Sequence, residues 1–216
     1  NNPSGVVYTE ETIKKLAKIL EEKSKEFGEI IYLISDEPYR ELAYGNVVVP
    51  FVPKYYANTI VCYSYSKSLS LPGERIGYVL IPSEVSNFEE MFAAVAGSAR
   101  ILGYVCAPSL FQKVITKCVD VMPDLTIYER NRNLLNDSLT KMGYRVAKPD
   151  GAFYLFFAAP DGDSLAFCEK AKEYDLLLVP GDGFGCPGYM RLSYCVQTEQ
   201  IERALPVLEK LIKEYK

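Results

Sequence analysis

Residues 9–35 constrain the fold more than any other stretch of the chain. Thr9 can cap a helix in which Ile13, Leu16, Leu20 and Phe27 recur on one face. Glu10 and Glu11 suit the positive end of its dipole, and Gly28 can end it. IIYLIS (30–35) follows almost at once. It is short, apolar and β-branched, and is predicted to be a fully buried strand. TIVCYSY (59–65) and IGYVLI (76–81) are predicted as a second and a third strand. A helix, a strand, a loop and two further strands together predict a layered α/β domain.

The pattern changes further along. Helices are predicted at 84–101, where Phe88, Met91, Phe92 and Val95 share a face, and at 108–121. Pro123 then interrupts. A long helix is predicted at 124–142, with Asp124 near its start and Gly143 after its end. Beyond it, short strands (144–147, 152–158, 176–179, 190–195) mix with helices at 163–174 and 198–215. A domain boundary is therefore expected near Pro123, giving domains of 1–123 and 124–216, which 216 residues can accommodate.

Composition narrows the chemistry. The formal net charge of −4 gives no bulk attraction to nucleic acid. No apolar run approaches the length needed to cross a bilayer. The opening NNPSGVVYTE has no basic stretch leading into an apolar core, so it is not expected to act as a signal peptide. Histidine is absent, which removes Ser-His-Asp and Cys-His catalysis and histidine metal sites from this chain; no metal is expected. Proton transfer near neutral pH then falls to Lys, Tyr, Asp, Glu, Cys or a cofactor. Six cysteines are scattered without a C-x-x-C pair, so buried, reduced thiols in a cytoplasmic protein are expected. The chain has no initiator Met and opens inside what reads as a motif, so it is expected to be part of a longer polypeptide.

The stretch SYSKSLSLPGERIGY (64–78) raises the central question, because a lysine is ordinarily a solvated surface charge. Lys67 instead follows an apolar strand. Desolvation would leave it a neutral amine able to attack a carbonyl, and a nearby Arg75 cation would push the same way. Arg75 also offers a planar fork suited to phosphate, and the Ser64 and Ser66 hydroxyls can donate to phosphate oxygens. A carbonyl compound with a phosphate handle matches this set, and pyridoxal 5'-phosphate is one. Its pyridine nitrogen needs an anionic partner at the carboxyl end of a central strand, and Asp36 stands directly after IIYLIS. Tyr39, three residues on, could reach the phenolic oxygen. Alternative readings of the same residues are a turn at Asp36 and Pro38, a packing role for Tyr39, and an ordinary ion pair for Arg191.

Several segments together carry a resemblance. They are S-Y-S-K-S-L-S-L-P-G-E-R-I-G at 64–77, N-N-P-S-G at 1–5, D-E-P-Y at 36–39, K-P-D-G-A-F-Y at 148–154, and VPGDGFG followed by GYMRLSY at 179–194. In these the chain resembles the fold-type I, class I/II aminotransferases of the aspartate aminotransferase superfamily. The resemblance implies an α/β fold: part of a three-layer PLP-transferase large domain, followed by a small α+β domain. It implies that Lys67 forms the Schiff base with the cofactor and then moves the substrate's α-proton. It further implies that Ser64, Ser66 and Arg75 hold the phosphate, Asp36 the pyridinium, and Tyr39 and Asn2 the phenolic oxygen. Asn2 also borders the substrate, whose α-carboxylate is clamped by Arg191. Arg100 is read as a structural ion-pair residue.

The substrates so implied are an L-amino acid, aspartate-like or another common one, and a 2-oxo acid; neither nucleic acid nor membrane is an expected partner. Complete members of the family have a large N-terminal portion that this chain lacks, so residues 1–216 alone are expected to bind the cofactor weakly and turn over little. A homodimer or a covering segment is expected over the apolar faces of the first half. Competing functions are a carbon–sulfur β-lyase, which uses the same lysine, and a non-catalytic aminotransferase-like sensor domain of a regulator.

Overall fold

The computed structural model of the protein describes residues 1–215. They form two compact units. One contains residues 8–41 and 48–123, and the other residues 1–7, residues 42–47 and the chain from Asp124 onward.

The first of these units opens with α1 (Glu10–Phe27). The Thr9 hydroxyl accepts from the Thr12 amide, and Gly28 ends the helix with φ 68°, its N–H returned to the Ser24 carbonyl. Ile13 and Ala17 are buried, while Glu10–Lys14 and Glu11–Lys15 pair along the solvent face. Strand β1 (Leu33–Asp36) lies parallel to β2 (Thr59–Ser64), and β2 pairs antiparallel with β3 (Gly77–Leu80), in the order β1-β2-β3.

The strand expected at 30–35 is shifted and is not fully buried. Residues 30–32 lie outside it, because the Ile31 amide bonds the Ser24 hydroxyl and the Ile31 carbonyl accepts from the Tyr56 phenol. On the edge strand that remains, exposure alternates, and Ile34 is 66% exposed. Helix α2 (Tyr65–Ser68) follows β2 directly. Helix α3 (Phe88–Ile101) starts later than expected, because a turn from Pro82 to Val85 and a left-handed Asn87 precede it. Helix α4 (Ser109–Cys118) completes the unit.

The second unit is built on α5 (Thr126–Met142), β4 (Val146–Ala147), β5 (Tyr154–Ala158), α6 (Ser164–Lys172), β6 (Val179–Pro180), β7 (Tyr189–Ser193) and α7 (Thr198–Lys213). Its sheet is antiparallel in the order β4-β5-β7-β6. Leu135, Leu139, Leu155, Phe157, Phe167, Met190, Leu208 and Leu211 form its core.

Residues 1–7 and 42–47 belong here by their backbone bonds, so the chain does not divide once at residue 123. The Gly5 carbonyl accepts from the Asp150 and Gly151 amides, the Tyr44 amide donates to Asp150, and Ala43 bridges Gly151. Gly5 has φ +69°, and a Cβ there would fall 2.5 Å from the Tyr154 carbonyl oxygen, so the N-N-P-S-G turn ends in the only residue that fits.

Asn131 is fully buried. Its amide donates to the Tyr194 and Val196 carbonyls, at 3.1 and 2.8 Å, and its oxygen accepts from the Thr198 hydroxyl at 2.8 Å. Asn131→Ala leaves the buried Tyr194 carbonyl and Thr198 hydroxyl without this partner and is expected to lower unfolding free energy by about 2 kcal/mol, read from urea denaturation. The cysteines differ from expectation as well. All six are free, but Cys168 alone is buried, and Cys106 and Cys195 are exposed.

Candidate active site

Ser64 ends β2 and begins α2. Its hydroxyl accepts from the Ser66 amide at 3.2 Å and is hydrogen-bonded to the Ser66 hydroxyl at 2.7 Å. Lys67 sits in the same short helix, half-buried, with Nζ 5.9 Å from the centre of the Tyr39 ring. The lysine is thus less enclosed than the desolvation argument requires of a fully buried amine. One residue on, the buried Ser68 hydroxyl bonds the Tyr63 phenol at 2.8 Å and fixes the helix to the strand.

The loop after Lys67 returns to the sheet through Arg75, which has φ 51° and is exposed. Its Nη1 donates to the Pro72 carbonyl of its own loop at 2.8 Å. Ile76 is buried and its carbonyl accepts from the Tyr65 amide. Gly77 then pairs with Ser64, and a Cβ there would lie 2.3 Å from the Tyr63 carbonyl oxygen. The signature glycine at 77 is therefore dictated by two strands in close approach.

Asp36 is the last residue of β1 and is exposed, opposite Cys62 of β2. Burial, and then the Asp36 carboxylate, push the Cys62 thiol up. The DEPY turn is held from beneath. Glu37 is buried, its amide donates to the Cys62 carbonyl, and its carboxylate accepts from Ser35 at 2.8 Å and from Arg40 Nε at 2.6 Å. Arg40 in turn donates to the Val49 and Pro50 carbonyls and lies over the Phe51 ring. Tyr63, Tyr65 and Tyr78 pack ring against ring beside the loop, with centroids 5.0–6.1 Å apart. Burial raises all three phenols and the Glu41 charge raises them further, so they stay protonated near neutral pH.

The other unit holds Asn2 and Arg191. Arg191 projects from β7, and its Nη1 donates to the Asn2 side-chain oxygen at 2.8 Å. Its guanidinium carbon lies 4.5 Å from the Tyr154 ring centre and 4.8 Å from that of Phe184.

The structure thus brings Ser64, Ser66, Lys67 and Tyr39 together in one unit, with Asp36 in the same sheet, and Asn2 with Arg191 in the other. It turns Arg75 onto its own loop, and Arg100 lies exposed in the last turn of α3. Sequence reasoning missed the Glu37–Arg40 clamp, although acid and base at i and i+3 flank the turn and could have announced it. It also missed the rings against Arg191; nothing in the sequence links Phe184 to β7.

A model of the aminotransferase class I and II family matches residues 1–208. Among solved structures, an aminotransferase from Eubacterium rectale is 62% identical with a TM-score of 0.96, over 100% of this chain and 54% of that one. The aspartate aminotransferase of Thermotoga maritima superposes with a TM-score of 0.81 at 30% identity, over 99% of this chain and 54% of that one. A probable aspartate/prephenate aminotransferase of Aquifex aeolicus is 33% identical over 99% of this chain and 56% of its own length. The aromatic-amino-acid aminotransferase 2 of Thermococcus litoralis is 30% identical over 100% and 56%. This chain spans about half the length of the curated relatives it matches. With the lysine, serine, aspartate and arginine segments in order along it and the fold shared from end to end, the chain belongs to the class I and II aminotransferase family.

Proposed function

We propose that this chain carries the lysine part of a pyridoxal 5'-phosphate-dependent aminotransferase. The reaction moves an amino group between an L-amino acid, aspartate-like or another common one, and a 2-oxo acid. The observation that carries the reading is the grouping of Lys67 with the Ser64–Ser66 hydroxyl pair and the Tyr39 ring at the end of β2. The residues present fit the cofactor: two adjoining hydroxyls at the junction of β2 and α2 and a guanidinium on the loop that follows for a phosphate, and an exposed carboxylate at the end of the neighbouring strand for a pyridinium.

When bound, pyridoxal phosphate supplies a protonated ring that accepts the electron pair left at the substrate α-carbon. Asp36 would be the anionic partner that keeps the ring nitrogen protonated. Ser64, Ser66 and Arg75 would hold the phosphate, and Tyr39 and Asn2 would donate to the phenolic oxygen. The Nζ of Lys67 would serve as the base that takes the substrate α-proton. Arg191 receives the substrate α-carboxylate on its fork and orients the Cα–H bond.

The protein is further proposed to work as a homodimer in a reducing, cytoplasmic setting. Apolar residues exposed on β3 (Tyr78, Val79, Leu80) and at and after the end of α3 (Ile101, Leu102, Tyr104) support the first, and free cysteines support the second.

The test pairs L-amino acid donors with 2-oxoglutarate and follows glutamate, alongside thiol release from an S-alkyl-cysteine. Glutamate formed one for one with donor consumed is the expected outcome. Thiol and pyruvate released without amino transfer would replace this reading with a β-lyase.

A further inference from the structure

Arg191 is held in an unusual way for a residue that must meet a mobile ligand. The β5–β7 register sets Phe156 opposite Arg191 and Tyr154 opposite Ser193, so Tyr154 is the diagonal neighbour on the face that Arg191 occupies. Tyr154 is buried. The second ring arrives from a different element, the 3-10 turn Gly181–Phe184. That turn is rigid. A Cβ on Gly181 would fall 2.3 Å from the Cys186 carbonyl oxygen, and Gly185 closes the turn at φ +71° with its amide on the Asp182 carbonyl. Phe184, between two glycines, is delivered onto the guanidinium while remaining 37% exposed.

We infer that Phe184 is a positioning residue for the substrate carboxylate, acting through Arg191, and that it does so together with Tyr154. The inference rests on the proposed role of Arg191. A guanidinium carries all its donors in one plane and offers its π surface to aromatic rings. With two rings against that surface and Nη1 committed to Asn2, the N–H groups that remain form an in-plane edge. A planar carboxylate meets that edge with two parallel hydrogen bonds. Ring contact also adds cation–π attraction that holds the guanidinium plane in place. Phe184 thereby sets both the angle and the affinity of the fork, without touching the reacting atoms.

The experiment titrates the protein with maleate, a non-reactive dicarboxylate. Binding is followed by calorimetry and by the Arg191 side-chain N–H signals in nitrogen-15-labelled protein. Phe184→Leu is expected to weaken maleate about tenfold, and Phe184→Tyr to stay within about twofold of the wild type. In turnover, Phe184→Leu raises KM for amino acid and 2-oxo acid alike and leaves kcat within about threefold. Arg191→Lys, which keeps the charge and loses the planar fork, abolishes binding. If Phe184→Leu binds maleate like the wild type while Arg191→Lys does not, the inference falls and the carboxylate role of Arg191 stands. If Arg191→Lys also binds like the wild type, or the wild type itself does not bind maleate, both fall.

Discussion

Lys67→Ala is expected to lower amino-group transfer by about 10⁴-fold or more. The same amine is asked both to bond the cofactor covalently and to carry the substrate α-proton. A positioned acid–base group alone contributes about 10²–10⁴-fold, and covalent participation adds to that. The groups described around it offer no second primary amine. The Tyr39 ring centre lies 5.9 Å from it, the Ser64 and Ser66 hydroxyls bond each other, and the Arg75 guanidinium is bonded to the Pro72 carbonyl. Lys67→Arg is expected to fail as completely, because it restores the charge but never a neutral amine. Borohydride treatment followed by peptide mass spectrometry supplies an independent readout, with the cofactor mass found on the Lys67 peptide and absent from either variant. A variant retaining transfer within tenfold of the wild type, or a cofactor mass on another lysine, would remove Lys67 from the mechanism.

Why so much of this was legible in the sequence is itself physical. Lys67, Ser64 and Ser66 are close in space because they are close in sequence, on a strand end and the turn of helix that follows it. Caps are local too, so Thr9, Gly28 and Gly143 mark helix ends in the structure as they do in the sequence. What failed was non-local. Burial of IIYLIS was inferred from composition, but exposure depends on what covers an edge strand, and Ile34 is exposed. The grouping of residues 1–7 and 42–47 with the later unit depends on backbone bonds across more than a hundred residues, as from Tyr44 to Asp150. Phe184 meets Arg191 through a turn whose path no periodicity encodes. Arg75 is the instructive middle case. Its position in the loop was readable, but the direction of its guanidinium, toward Pro72, was not.

The two glycines of the lysine loop separate a steric requirement from a merely permissive one. At Gly77 a methyl group would lie 2.3 Å from the Tyr63 carbonyl oxygen and 3.1 Å from the Ser64 Cα. Both obstacles are backbone of a paired strand, so neither can swing away as a side-chain tip would. Relief requires β2 and β3 to part at the Ser64–Gly77 pair, which lies directly before α2 and Lys67. Gly77→Ala is therefore expected to lower unfolding free energy by about 3 kcal/mol, a cost that comes from the clash with the β2 backbone rather than from burial, since Gly77 is exposed. It should also loosen the lysine helix, so cofactor labelling of Lys67 falls even in protein that remains folded. At Gly73, four residues earlier, an added Cβ meets nothing within 4 Å and no positive φ is required. Gly73→Ala is expected to change stability by less than about 0.5 kcal/mol. Urea denaturation of the pair decides the matter. Equal effects at the two positions would mean that the strands tolerate separation at residue 77, and that contact between them does not hold the lysine loop in register.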